Sequence, residues 1–160
     1  MNTLHATLPL GRQTIRLAGQ EIVSPRLVSW HGDPEAYYRY SGRTFEPKPW
    51  TPELVGIKQR LDALLGAAFN SVLVNFYRDG QDSMGEHADD EPELGPARDN
   101  ILIASVSLGT RRRFLLRHRQ TKELHEFSLG AGNLLVWGKA CCERRIPLID
   151  LPRFTIVEDD

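Results

Sequence analysis

The sequence predicts a mainly β protein with one covering helix, and three observations lead there. Short segments that alternate or run apolar recur along most of the chain, divided by Gly, Pro, Asn and Asp. Only the stretch from Thr51 to Leu65 carries apolar residues at spacings of three and four. At 160 residues the chain has the size of a single domain, 1–160, long enough to bury a core without disulfides or a structural metal.

Taken in order, Gln13 to Leu17 and Glu21 to Val23 alternate as short strands. Ser24-Pro25-Arg26 breaks that pattern, and Leu27 to Trp30 reads as a further short strand before the turn-rich His31-Gly32-Asp33-Pro34. Tyr37, Tyr38 and Tyr40 crowd the next segment, with Tyr38 and Tyr40 on one face if it is extended. Thr51 is suited to cap a helix and Pro52 to open its first turn, while Leu54, Ile57, Leu61, Leu64 and Leu65 supply the side that covers a sheet. Phe69 to Tyr77 is a strand that puts Asn75 and Tyr77 on one face, and Asp79-Gly80 turns the chain towards His87. Ile101 to Leu108 reads as a buried strand. Arg111, Arg112, Arg113, Arg117, Arg119 and Lys122 make the following strands basic, suited either to phosphate contact or to a solvated face. Leu124 to Leu129 and Asn133 to Trp137, divided by Gly130-Ala131-Gly132, look like the next strand pair.

Composition narrows the setting. A net charge of -1 and a pI near 6.5 provide no bulk field for nucleic acid, which leaves only local clusters to attract it. No apolar run approaches the roughly 20 residues needed to cross a bilayer, and the start lacks a basic-then-apolar signal layout. The expectation is a cytoplasmic monomer without membrane attachment. Cys141 and Cys142 are adjacent, an arrangement that disfavours a bridge and fits a reducing compartment.

The stretch that carries chemistry runs from Asn75 to Glu91. His87 and Asp89 stand two apart, so on an extended segment an imidazole and a carboxylate face the same way and can meet one cation. They would supply two of the three ligands of the 2-His-1-carboxylate set that holds non-haem Fe(II). A surface loop in which His and Asp merely bond to each other is the plain alternative.

Several separate motifs in order extend this reading. Asn75-x-Tyr77-x-Asp79-Gly80, His87-x-Asp89-Asp90-Glu91, Ala104 to Gly109, Arg113 to His118, Tyr38 to Gly42 and Pro47 to Trp50 resemble the AlkB family of Fe(II)- and 2-oxoglutarate-dependent dioxygenases. The resemblance runs from about Pro25 to about Trp137. It implies a double-stranded β-helix, a jelly-roll-like barrel with the site in its mouth. His87 and Asp89 would then bind the iron and carry the catalysis, while Asn75, Tyr77 and Arg153 would contact 2-oxoglutarate. Tyr38 and Tyr40 would line the pocket of an extruded base, with Tyr40 opposing His87. Asp90 and Glu91 would read that base, since carboxylates accept from exocyclic amines. The implied reaction is oxidative demethylation of an N-methylated base in DNA or RNA, flipped because the methyl is otherwise unreachable. The alternatives are ordinary: a Tyr-rich edge strand packed on the core and an acidic loop facing water.

After Trp137 the chain departs from the family. Arg144 stands three residues before Pro147, where the family has its second iron-binding His, and a guanidinium has no lone pair to offer. Arg153 matches the arginine that pairs with the distal carboxylate of 2-oxoglutarate, but Val157 and Asp159 replace the following Thr and Arg. Iron and co-substrate should both bind more weakly, which points to an impaired dioxygenase. The competing reading is a non-catalytic nucleic-acid-binding pseudoenzyme on the same fold, and a third is hydroxylation of a protein or small molecule. Three explanations compete, a diverged pseudoenzyme end, a shifted reading frame after about Trp137, and a third ligand restored by a nearby residue or water, and the abruptness of the change mildly favours the frame shift.

Overall fold

The computed structural model describes residues 4–17, 20–40, 43–87, 102–118, 120–130, 132–138 and 154–159. Its contacts divide the chain into two compact units, Met1–Asp82 and Ser83–Asp160.

The first unit runs α1 (Leu4–Thr7), β1 (Gly11–Leu17), β2 (Gln20–Gly32), β3 (Tyr38–Tyr40), β4 (Arg43–Phe45), α2 (Pro52–Leu65) and β5 (Ser71–Phe76). Strands β1, β2 and β5 form an antiparallel sheet in that order, and β3 pairs with β4 as a separate hairpin. The expected break at Ser24-Pro25-Arg26 is not there: β2 continues through it for 13 residues. Register explains this. Thr14 pairs with Val23 and Arg12 with Leu27, so β2 takes four steps where β1 takes two, and Pro25 falls in that bulge. A bulge asks no ladder N–H of the proline, which has none.

Helix α2 begins and ends where local chemistry dictates. Thr51 is extended and its Oγ1 accepts from the Leu54 N–H at 3.4 Å, Pro52 opens the first turn, and Gly66 closes the helix in the left-handed region at φ 59°. Leu54 and Leu65 are buried. Leu64, expected on the covering side, is instead 67% exposed. Ten residues at about 100° each leave it roughly 80° from the Leu54 direction, off the buried stripe.

The second unit contains β6 (Met84–His87), β7 (Leu102–Ser107), β8 (Arg112–His118), β9 (Leu124–Leu129), β10 (Asn133–Gly138) and β11 (Phe154–Asp159). One antiparallel sheet has the order β6-β11-β8-β9, and β10 pairs with β7 in another. Phe114, Leu116, Phe127 and Leu129 from the larger sheet meet Ile103, Leu135 and Trp137 from the smaller one. Two layers therefore share one apolar core. Strands β9 and β10 are neighbours in sequence but not partners, since each pairs backwards into a different sheet. Gly130 makes the crossing possible: a Cβ there would stand 2.8 Å from the Arg111 Cα. Antiparallel sheets and one substantial helix bear out the mainly β, jelly-roll class. Among the described residues no helix is long and apolar enough to cross a membrane.

Candidate metal and co-substrate site

His87 is the last residue of β6, opposite Ile156 of β11, which is itself opposite the fully buried Leu116 of β8. The backbone that presents the candidate ligand is therefore tied into the four-stranded sheet. For His87 and Tyr40 the backbone alone is described. Asp89, Asp90, Glu91, Arg144, Arg153 and the two cysteines lie outside the described residues.

Other histidines have work elsewhere. His31 is 1% exposed, with Nδ1 2.7 Å from the Pro49 carbonyl and Nε2 3.0 Å from Ser29 Oγ. His118 Nδ1 accepts from the Thr121 N–H at 3.0 Å, and His125 Nε2 lies 3.5 Å from Glu123 Oε1. No group of three His, Cys, Asp or Glu among the described residues could hold a metal ion. His87 and Asp89 keep the residue types expected of an Fe(II) pair, and a guanidinium such as that of Arg144 has no lone pair to offer a metal.

Two of the three expected co-substrate contacts, Asn75 and Tyr77, lie at the end of β5 and just beyond it. Asn75 is exposed near the end of that strand, and Tyr77 follows two residues later, half-buried. Arg26 of β2, only 9% exposed, donates from Nη1 to the Tyr77 hydroxyl oxygen at 3.0 Å. A permanently charged donor on that oxygen turns the phenolic hydrogen away from the guanidinium and strengthens it as a donor. Sequence reading missed Arg26, taking it as part of a break in the pattern. Alternation of Ser24, Arg26 and Val28 along one strand was the available signal.

Asp82 was also missed. It is 4% exposed and accepts from the Arg78 backbone N–H at 2.9 Å, Nε at 2.7 Å and Nη2 at 2.6 Å. The carboxylate, by its hydrogen bond to the Arg78 guanidinium, holds that group above its usual pKa. This clamp closes the loop that follows Tyr77, and the four-residue spacing of Arg78 and Asp82 was its signature.

Tyr38 sits in an aromatic row, its ring centroid 5.0 Å from Trp30 and 6.0 Å from Phe45. It also lines a cleft of about 320 Å³ in the first unit, together with residues of β1, β2, β4 and β5. Packing on neighbours and facing a cavity are therefore both true of this ring.

The model of the 2OG-Fe(II) oxygenase superfamily matches residues 1–145. The chain belongs to that superfamily. Within it the chain is AlkB-like. It is 43% identical over 120 residues to the DNA oxidative demethylase ALKBH2 of Mus musculus, covering 70% of this chain and 49% of that protein. Against the alpha-ketoglutarate-dependent dioxygenase alkB homolog 3 of Rattus norvegicus it is 46% identical over 100 residues, 62% of this chain and 32% of the relative. Protein R406 of Acanthamoeba polyphaga mimivirus is 33% identical over 128 residues, 80% of this chain and 65% of that one. The chain spans about half, or less, of the length of the demethylases it matches. Fe(II) and 2-oxoglutarate are the general requirements of this oxygenase superfamily. The superfamily match stops at residue 145, leaving β11 of this AlkB-like chain beyond it.

Proposed function

We propose that this chain is an AlkB-like dioxygenase domain, residues 1–160, that removes alkyl groups oxidatively from N-methylated bases in DNA or RNA. The observation that carries the reading is His87 closing β6 with Asp89 two residues on, in a chain whose relatives are named DNA oxidative demethylases. His87 and Asp89 would hold Fe(II). Fe(II) held there would supply the oxidising chemistry: one oxygen atom of O2 would go to the N-methyl carbon and the other to 2-oxoglutarate, released as succinate and CO2, and the hydroxymethyl group would leave as formaldehyde. The Tyr77 hydroxyl, polarised by Arg26, and the Asn75 amide donate to 2-oxoglutarate, while Arg153 pairs with its distal carboxylate. Tyr38 and Tyr40 flank the flipped base, and Asp90 and Glu91 accept from its amino groups.

The tail lowers this activity. Arg144 cannot replace a ligand, and Val157 and Asp159 replace co-substrate-binding side chains, with Asp159 opposite Arg113 in the β11–β8 register. Arg144 also favours a second reading, in which the chain binds methylated nucleic acid without turning it over. An anaerobic titration with Fe(II) and 2-oxoglutarate separates the two. Ternary binding with 2-oxoglutarate consumption on admitting oxygen supports the enzyme. Absence of both, with a methylated oligonucleotide still bound and released by Tyr40→Ala, supports the binding module. Failure to bind that oligonucleotide sinks both.

A further inference from the structure

The cleft in the first unit combines features that the dealkylation reading leaves unused apart from Tyr38. Its aromatic side is the row of Trp30, Tyr38 and Phe45. Two cations share the lining. Lys48 is exposed, yet its Nζ donates to the Pro9 carbonyl at 2.7 Å and to Ser29 Oγ at 3.1 Å, two of its three donors. Those bonds hold the ammonium still at the cleft and leave a third donor to offer. Arg12 comes from β1 beside the register shift against β2, a distortion that re-aims side chains.

Aromatic rings beside positive charge suit a nucleotide: the base lies against a ring and the phosphate meets the cations. About 320 Å³ lies at the low end of the roughly 300–1,000 Å³ of small-molecule sites, room for one such unit. Glu46 lines the same cleft and accepts rather than donates, so it favours a base with an exocyclic amino group over one without. We propose that this cleft is a second nucleotide-binding subsite, taking one amino-bearing base with its phosphate in addition to the base acted on. The ligand is either a free mononucleotide or one unit of a single strand.

The test uses the metal-free full chain and follows the indole N–H signal of Trp30, which donates to the Ala36 carbonyl and is assigned by its loss in Trp30→Phe. Deoxycytidine monophosphate and a short oligodeoxycytidine are titrated separately, with thymidine monophosphate and inorganic phosphate as controls. Saturable movement of the Trp30 signal, with the Trp50 and Trp137 signals unmoved, is expected. Response to the oligonucleotide alone assigns the subsite to a strand, and response to both assigns it to the nucleotide unit. Gly11 lines the cleft and a Cβ there meets nothing within 4 Å, so Gly11→Leu adds bulk at the lining without disturbing the backbone and should weaken the movement. Exposed Arg12→Gln weakens binding up to about fivefold, the scale of one exposed charge contact. No movement with either ligand, unaltered binding in Gly11→Leu, equal response to the thymidine nucleotide, or the same shift from phosphate as an adventitious ion only would each overturn the assignment. Because neither iron nor 2-oxoglutarate is present, this result is independent of whether demethylation occurs.

Discussion

Asp82 shows how much a single carboxylate can organise. One arginine reaches it from three donors while the rest of the chain buries it. Asp82→Ala leaves the Arg78 backbone N–H and fork without that acceptor, and thermal unfolding should shift down by about 4 °C or more. Arg78→Lys, which keeps charge but loses the fork, should fall between. Asp62 makes a separate prediction in acid. Lys58 at 2.6 Å and the Phe69 N–H hold its carboxyl below the ordinary range. A depressed folded pKa stabilises above the unfolded value and is lost as pH falls through the folded one. Denaturant melts of wild type and Asp62→Asn should therefore differ modestly near pH 6 and converge as pH drops below about 4. His87 and Asp89 could be singled out in the sequence because their spacing is local. The Arg26–Tyr77 bond and the Ser29, His31 and Lys48 cluster were not, because strand register, which no short window contains, brings them together.

At the scale of elements, sequence reading succeeded where ends carry their own chemistry. Thr51 and Pro52 mark the start of α2 as read from the sequence. It failed at Pro25, since a proline signals a break unless the partner strand supplies a bulge, and the partner is remote. The pairing of β9 and β10 failed for a related reason: glycines between two strands fit a hairpin and a crossing equally well. Gly130→Ala tests the crossing, because its Cβ would press on the Arg111 Cα and N, backbone atoms that cannot rotate aside. The expected loss is about 2 kcal/mol by chemical denaturation, with Gly11→Ala as a nearly silent control.

For the molecule as a whole, the AlkB-like motifs disclosed the class of fold, while composition disclosed none of the sheet order. The proposed weakening by the tail is testable at Arg144. Arg144→His should restore a third donor, raising retained iron after anaerobic reconstitution towards about one per chain by metal analysis. Unchanged iron in that variant would move the defect elsewhere in the tail.

The placement of β11 limits how such a tail can be repaired. It hydrogen-bonds to β6 on one side and to β8 on the other. Trimming the divergent end would therefore open two raw sheet margins and invite chain-to-chain pairing. Any change of side chains in this segment has to be made on an intact strand, because the same backbone seals the sheet.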